Sequence, residues 1–179
     1  FSDKLWPHGQ HLVADRRFVE GLGNGRTVTP SASVEQIDVL ASPIGKTTAL
    51  ELKGSPMVST ADAPGGVILE LHIPRHLDGR QILVPGERYY FNALFRLREM
   101  SSVSRLIVEL QSDGGETVQL LNLRGNTNTA FSSPGAFVRH GRPYVSIPRD
   151  LNDGVDLLFR LEGEGQVAIT DVTFFNNEP

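Results

Sequence analysis

The sequence predicts an all-β fold of two antiparallel sheets packed as a β-sandwich, and three observations carry that prediction. The chain breaks into short segments in which apolar and polar residues alternate, the period of a strand with one buried face. Turn-forming runs separate them, among them Pro85-Gly86, Asp113-Gly114-Gly115 and Gly163-Glu164-Gly165. No amphipathic helix longer than about two turns can be traced. About nine or ten short strands, each with one apolar face, close into two packed antiparallel sheets. The 179 residues suit a single domain, 1–179, large enough to bury a core without staples.

Phe1–Gln10 has no period and holds the one tryptophan, Trp6, beside Pro7. It reads as a strap that Trp6 pins to the core, with a sugar-stacking platform as the alternative. In His11–Gly25 a few apolar residues lead into the turn-like run GLGNG. Ser33–Leu40 fits either a helical turn or a strand, with the strand preferred, and Thr48–Gly54 is a strand with Leu50 and Leu52 inward. After a loop over Ser55–Gly66, Val67–Ile73 places Val67, Leu69, Leu71 and Ile73 on one face and Ile68, Glu70 and His72 on the other. The central stretch is Val84–Arg98. Pro85-Gly86 launches a strand with Tyr89, Phe91, Ala93, Phe95 and Leu97 inward and Tyr90, Asn92, Leu94, Arg96 and Arg98 outward. Arg105–Gln111 and Glu116–Leu123 form a hairpin across Asp113-Gly114-Gly115. Leu121–Pro143, the longest polar tract, is expected as a loop whose Asn126–His140 part rims a site. Short strands at Tyr144–Ile147, Val155–Leu161 and Gln166–Phe175 complete the chain.

Composition excludes several kinds of chemistry. With no cysteine there is no disulfide, thiolate nucleophile or cysteine-bound zinc. A net charge of −4 argues against a nucleic-acid partner, which needs a concentrated basic surface. Apolar runs fall well short of the roughly 18 residues of a membrane span. Gly21-Leu22-Gly23 starts a dinucleotide fingerprint, but Arg26 stands at its third glycine; Gly45-Lys46-Thr47 ends like a phosphate loop, but Leu40 stands at its first. The close histidine pairs, His8 with His11 and His72 with His76, lack a third ligand, and no G-x-S-x-G serine elbow occurs. Glu70 and Glu109 are the one pair that would act as a glycosidase if they faced a common cleft, yet outward strand carboxylates are ordinarily solvated or ion-paired. No enzyme is expected.

Four segments in order, DRRFVEGLG (15–23), SPIGKTTALELKGS (42–55), VPGERYYFNALFRL (84–97) and VDLLFRLEGEGQVAITDVTFF (155–175), resemble the jelly-roll carbohydrate-binding modules attached to cellulases and xylanases. The resemblance spans nearly the whole chain and implies a galactose-binding-like jelly roll that binds a polysaccharide without altering it. It places Tyr89 and Phe91 in the core and, if this strand lies in the concave sheet, puts Tyr90, Asn92 and Arg96 on the face where such modules hold a glycan. Depending on which strands are its neighbours, Glu70 and His72, or Glu109 and Gln111, join that face. The family also often carries a structural calcium near the chain ends. Here the matching carboxylates are Glu20, one position late, and Asp171, preceded by Thr170 in place of a second aspartate. The alternative is a structural β-sandwich of a phage-like particle or surface assembly, acting through protein contacts on the outward apolar residues Ile68, Leu94, Ile107 and Leu158. A chain starting at Phe1 reads as a processed or excised piece, expected outside the cell or at its surface and attached to or assembled with other domains.

Overall fold

The computed structural model describes residues 12–13, 15–23, 26–30, 33–55, 66–125 and 136–176. The described residues form β1 (Arg26–Thr29), β2 (Val34–Val39), β3 (Thr47–Gly54), β4 (Val67–Pro74), β5 (His76–Leu77), β6 (Arg80–Gln81), β7 (Arg88–Arg98), β8 (Arg105–Ser112), β9 (Thr117–Arg124), β10 (Val138–Ser146), β11 (Gly154–Glu162) and β12 (Gly165–Asn176). Ten of them make the sandwich. A front sheet has the order β10-β7-β12-β3-β2, a back sheet β1-β4-β11-β8-β9, and β5 and β6 pair as a separate two-residue hairpin. Every pairing is antiparallel. Among the described residues no helix is long and apolar enough to cross a membrane.

The alternation in β7 is realised as expected. Its inward residues Tyr89, Phe91 and Phe95 share one core with Phe159 and with Leu106, Val108 and Leu110 of the β8–β9 hairpin. Tyr89 stacks on Phe174 at 5.4 Å between ring centroids, and Phe91 and Phe95 lie 6.3 and 6.2 Å from Phe159 of the opposite sheet. The Tyr89 hydroxyl accepts from Val84 N at 2.9 Å and donates to Ile82 O at 3.3 Å, so a polar tip deep in the core has partners. Burial pushes its phenol up to about 12 and keeps it neutral. Gly86, at φ 86°, makes the turn into β7 in a region that other residues enter at a cost.

One expectation of the strand pattern changes. Val138–Pro143, read as loop, is the first part of β10, whose period is hidden by Gly141 and Pro143. Both residues have a positional reason. β10 is an edge strand, where a missing N–H is tolerated, and a Cβ on Gly141 would stand 2.5 Å from Phe91 O. The strap with Trp6, the His8–His11 pair and residues 126–135 of the rim tract lie outside the described residues.

Truncating Phe91 or Phe95 to alanine should cost about 3–5 kcal/mol in chemical denaturation, the range for a buried phenylalanine. Arg98→Ala, on the exposed end of the same strand, should stay within about 0.5 kcal/mol. Equal losses at the three positions would contradict the assignment of faces.

Candidate functional site

The outward face of the front sheet is built in rows across its strands. One row runs Glu51, Ala168, Arg96, because β12 pairs β3 through Ala168 and Glu51 and pairs β7 through Ala168 and Arg96. The small Ala168 lets Arg96 Nη2 reach over it to Glu51 Oε2 at 3.2 Å, while the guanidinium stacks 5.1 Å from the centroid of Phe137. Leu94 is 0% exposed despite pointing outward, since Val39, Ala49, Phe137 and Ala168 close a second, smaller apolar cluster around it. The middle of this face is therefore covered, and Arg96 is fastened into that cover.

In the next rows, β12 bulges between Thr170 and Thr173. The bulge carries Asp171 at φ 50° and turns its carboxylate toward neighbouring cations. Arg139 bridges two acceptors, with Nη1 to Asn92 Oδ1 at 2.6 Å and Nη2 to Asp171 Oδ2 at 2.9 Å. Thr173 Oγ1 also donates to Asn92 Oδ1, at 2.9 Å, so Asn92 is 9% exposed and bound within the protein. The Nε groups of Arg16 and Arg17 each lie 3.4 Å from Asp171 Oδ1. Backbone bonds tie the same N-terminal segment down: Val172 N donates to Arg16 O, and Thr48 Oγ1 to Arg17 O at 2.6 Å.

The calcium expected at Glu20 and Asp171 meets an unsuitable donor set. Calcium takes about six to eight oxygens, but both carboxylate oxygens of Asp171 face guanidinium groups, and Glu20 is exposed with its N–H bound to Asp15 Oδ2. Among the described residues no group of three or more histidine or acidic side chains is placed to hold a metal. Three arginines occupy the electrostatic role at this corner. Burial alone would raise the Asp171 carboxyl; the hydrogen bond and charge of Arg139, the charge of Arg16 and the bond from Arg17 together outweigh it and hold the group below its ordinary value.

The other end of β7 is different in character. Tyr90 is half-buried and leans on Phe175 of β12, ring centroids 5.1 Å apart and tilted by 32°. Beside it, the β10 ladder slips between Arg142 and Val145, and this bulge lifts Tyr144 out of the pleat. Tyr144 is 63% exposed at φ 64°, a conformation uncommon for a bulky residue, and the Arg88 guanidinium lies 5.6 Å from its ring centroid. Tyr144 forms one wall of a cleft of about 520 Å³ between the sheet edges, with Arg142, Ser146 and Arg149 on the front-sheet side and, on the other, Val118 of β9 and Glu116 in the turn just before it. Arg142 Nη1 spans the gap to Gln119 O at 2.7 Å.

The structure separates the expected site residues into two groups. Tyr90, Asn92 and Arg96 share the front face. Glu70, His72, Glu109 and Gln111 do not join them: they lie together on the outward face of the back sheet, on the opposite side of the sandwich. There Glu70 and Glu109 flank Leu158, and His72 and Gln111 flank Asp156. Glu70 accepts from Thr27 Oγ1 at 3.1 Å, His72 Nδ1 lies 2.8 Å from Asp156, and Arg160 lies 2.7 Å from Glu109. The separation follows from strand order, which alternation within a strand does not encode. Tyr144 was read only as the start of a short strand; the signal available was Gly141 and Pro143 just before it, a mark of an irregular edge.

No family model and no curated protein matches the sequence. Solved structures do match the fold. TmCBM61, solved in complex with β-1,4-galactotriose, aligns at TM-score 0.61 and 11% identity over 94% of this chain and 100% of that one. The C-terminal family 22 carbohydrate-binding module of Clostridium thermocellum Xyn10B aligns at TM-score 0.59 and 14% identity over 95% and 96%. Tailspike protein 4 of bacteriophage CBA120, in its enzymatically active domain, aligns at TM-score 0.57 and 14% identity over 93% of this chain, which spans 21% of that one. The fold is the jelly roll of the carbohydrate-binding modules.

Asp171→Asn tests the arginine corner, because asparagine tolerates the left-handed backbone while removing the charge. It should cost about 1–3 kcal/mol, the range for a lost charge-assisted bond. Because the folded carboxyl sits below its ordinary value, its contribution is complete at neutral pH and is lost as pH falls below about 4. The variant's acid melting curve should therefore be flatter there than the wild type's. Excess EDTA should leave the wild-type midpoint unchanged; a drop would show that a metal stabilises the fold.

Proposed function

We propose that this chain binds a glycan without altering it, at the Arg88 end of the front sheet, from the Tyr90–Phe175 pair to the edge cleft beside Tyr144. The observation that carries the reading is Tyr144 itself: a largely exposed aromatic ring, backed by a guanidinium and held in an unfavourable backbone conformation, at the mouth of a cleft of ligand size. Such a ring offers its face to the apolar side of a pyranose, and the polar groups around it offer hydrogen bonds to hydroxyls. Each neutral hydrogen bond is worth about 1 kcal/mol net, so micromolar to millimolar affinity for a chain is expected. The jelly-roll modules of matching fold support the reading. Asn92 and Arg96 then serve as scaffold, since their polar groups are engaged within the face. Such a role places the protein outside the cell or at its surface, in the company of a glycan.

The competing reading, a structural domain working through protein contacts, draws on the tailspike match. Its apolar residues are not displayed as an interface requires. Leu94 is enclosed, Ile107 and Leu158 are buried among the side chains of the back face, and Ile68 alone of the four stays half-exposed, which is not a contiguous patch.

Tyr144→Ala should weaken binding to the best glycan of an array by about tenfold, near 1.4 kcal/mol, with the melting midpoint within about 3 °C of wild type. Tyr90→Ala should weaken it less, since Tyr90 is half-covered by Phe175. A stable Tyr144→Ala protein that binds every glycan as before would move the site elsewhere. Failure of the wild type to bind any glycan, together with a stable oligomer by solution mass, would favour the structural domain.

A further inference from the structure

Resting on that reading, we infer that the cleft beside Tyr144 selects an acidic sugar, a uronate residue whose carboxylate is received by Arg142 and Arg149. The charges lining the cleft are two guanidinium groups, Arg142 and Arg149, against one carboxylate, Glu116. The Arg88 guanidinium lies over the Tyr144 ring, 5.6 Å from its centroid. This local excess of positive charge stands on a chain of net charge −4, so it is a feature of the cleft and not of the surface at large.

The geometry favours a carboxylate in particular. The guanidinium is a planar fork of five donors that matches a carboxylate with two parallel bonds. Arg142 is already oriented, because its Nη1 is fastened to Gln119 O across the gap between the sheets, and a fixed fork loses little freedom on binding. The aromatic ring and the fork supply the two parts that a uronate needs: a flat apolar surface for the ring face and a paired donor for the acid. Glu116 works against a densely charged chain such as a nucleic acid, whose phosphates it would repel, and tolerates an isolated carboxylate directed to the opposite wall.

The test compares oligosaccharides of galacturonate and of glucuronate with their methyl esters, which keep the ring and remove the charge. Calorimetric titration of the wild type should show at least one acid form bound about tenfold more tightly than its ester, with the preference shrinking as salt rises above about 0.15 M. Arg149→Gln should abolish most of that preference, the affinity for the acid falling about tenfold further than that for the ester, and Arg142→Gln should do the same. Glu116→Gln should enlarge it. Esters bound as well as or better than both acids, with Tyr144→Ala weakening them, would overturn the acidic selectivity and leave the glycan-binding role standing. No binding of acids, esters or neutral glycans would overturn the role itself. Arginine variants that keep the full preference would show that the acid is recognised elsewhere.

Discussion

The contact on which the rest depends is the aromatic packing beneath β7, where Tyr89 lies on Phe174 and where Phe91 and Phe95 close around Phe159 from the other sheet. Because side chains alternate strictly along a strand, burying these three decides that Arg88, Tyr90, Asn92, Leu94 and Arg96 point the other way. It also places β12 beside β7, so that Phe175 meets Tyr90 and the bulge at Asp171 meets Asn92 and Arg139. A slip of one residue would exchange the core for the site.

Two bulges then divide the outward face of the front sheet. The one in β12 turns a carboxylate into a ring of arginines and anchors the N-terminal segment, which makes that corner structural. The one in β10 does the reverse: it carries an aromatic ring outward at an edge and opens a cleft between the sheets. Between them the covered cluster around Leu94 seals the middle of the face. The proposed glycan site accordingly lies at the sheet edge, where irregular backbone has room to aim side chains.

Local pattern made much of the fold legible. β4, β7, β8 and β11 follow the alternation read from the sequence, and the Asp113-Gly114-Gly115 reversal leaves little choice but a hairpin into β9, whose own period is broken by a bulge at Leu120. β10 was hidden because Gly141 and Pro143 erase its period, though each is required by its place on an edge strand. The site is less legible. Parity alone puts Tyr90 on the outward face of β7, but it does not reveal that strand order sends Glu70, His72, Glu109 and Gln111 to the opposite surface. The arginines around Asp171 come from positions 16, 17 and 139, separations that no local spacing reveals. Tyr144 owes its exposure to a register slip, which is a property of the pairing and not of its neighbours in sequence.

Docking of a glycan at the Arg88 end of the front sheet, as proposed, can be read residue by residue from amide chemical shifts during a glycan titration. The largest shifts should fall at Arg88 and Tyr90, at Glu116 to Gln119 and at the non-proline amides from Arg142 to Arg149, with the amides of Glu70, His72, Glu109 and Gln111 unmoved. Shifts concentrated on those back-sheet residues, or around the arginines that hold Asp171, would contradict it.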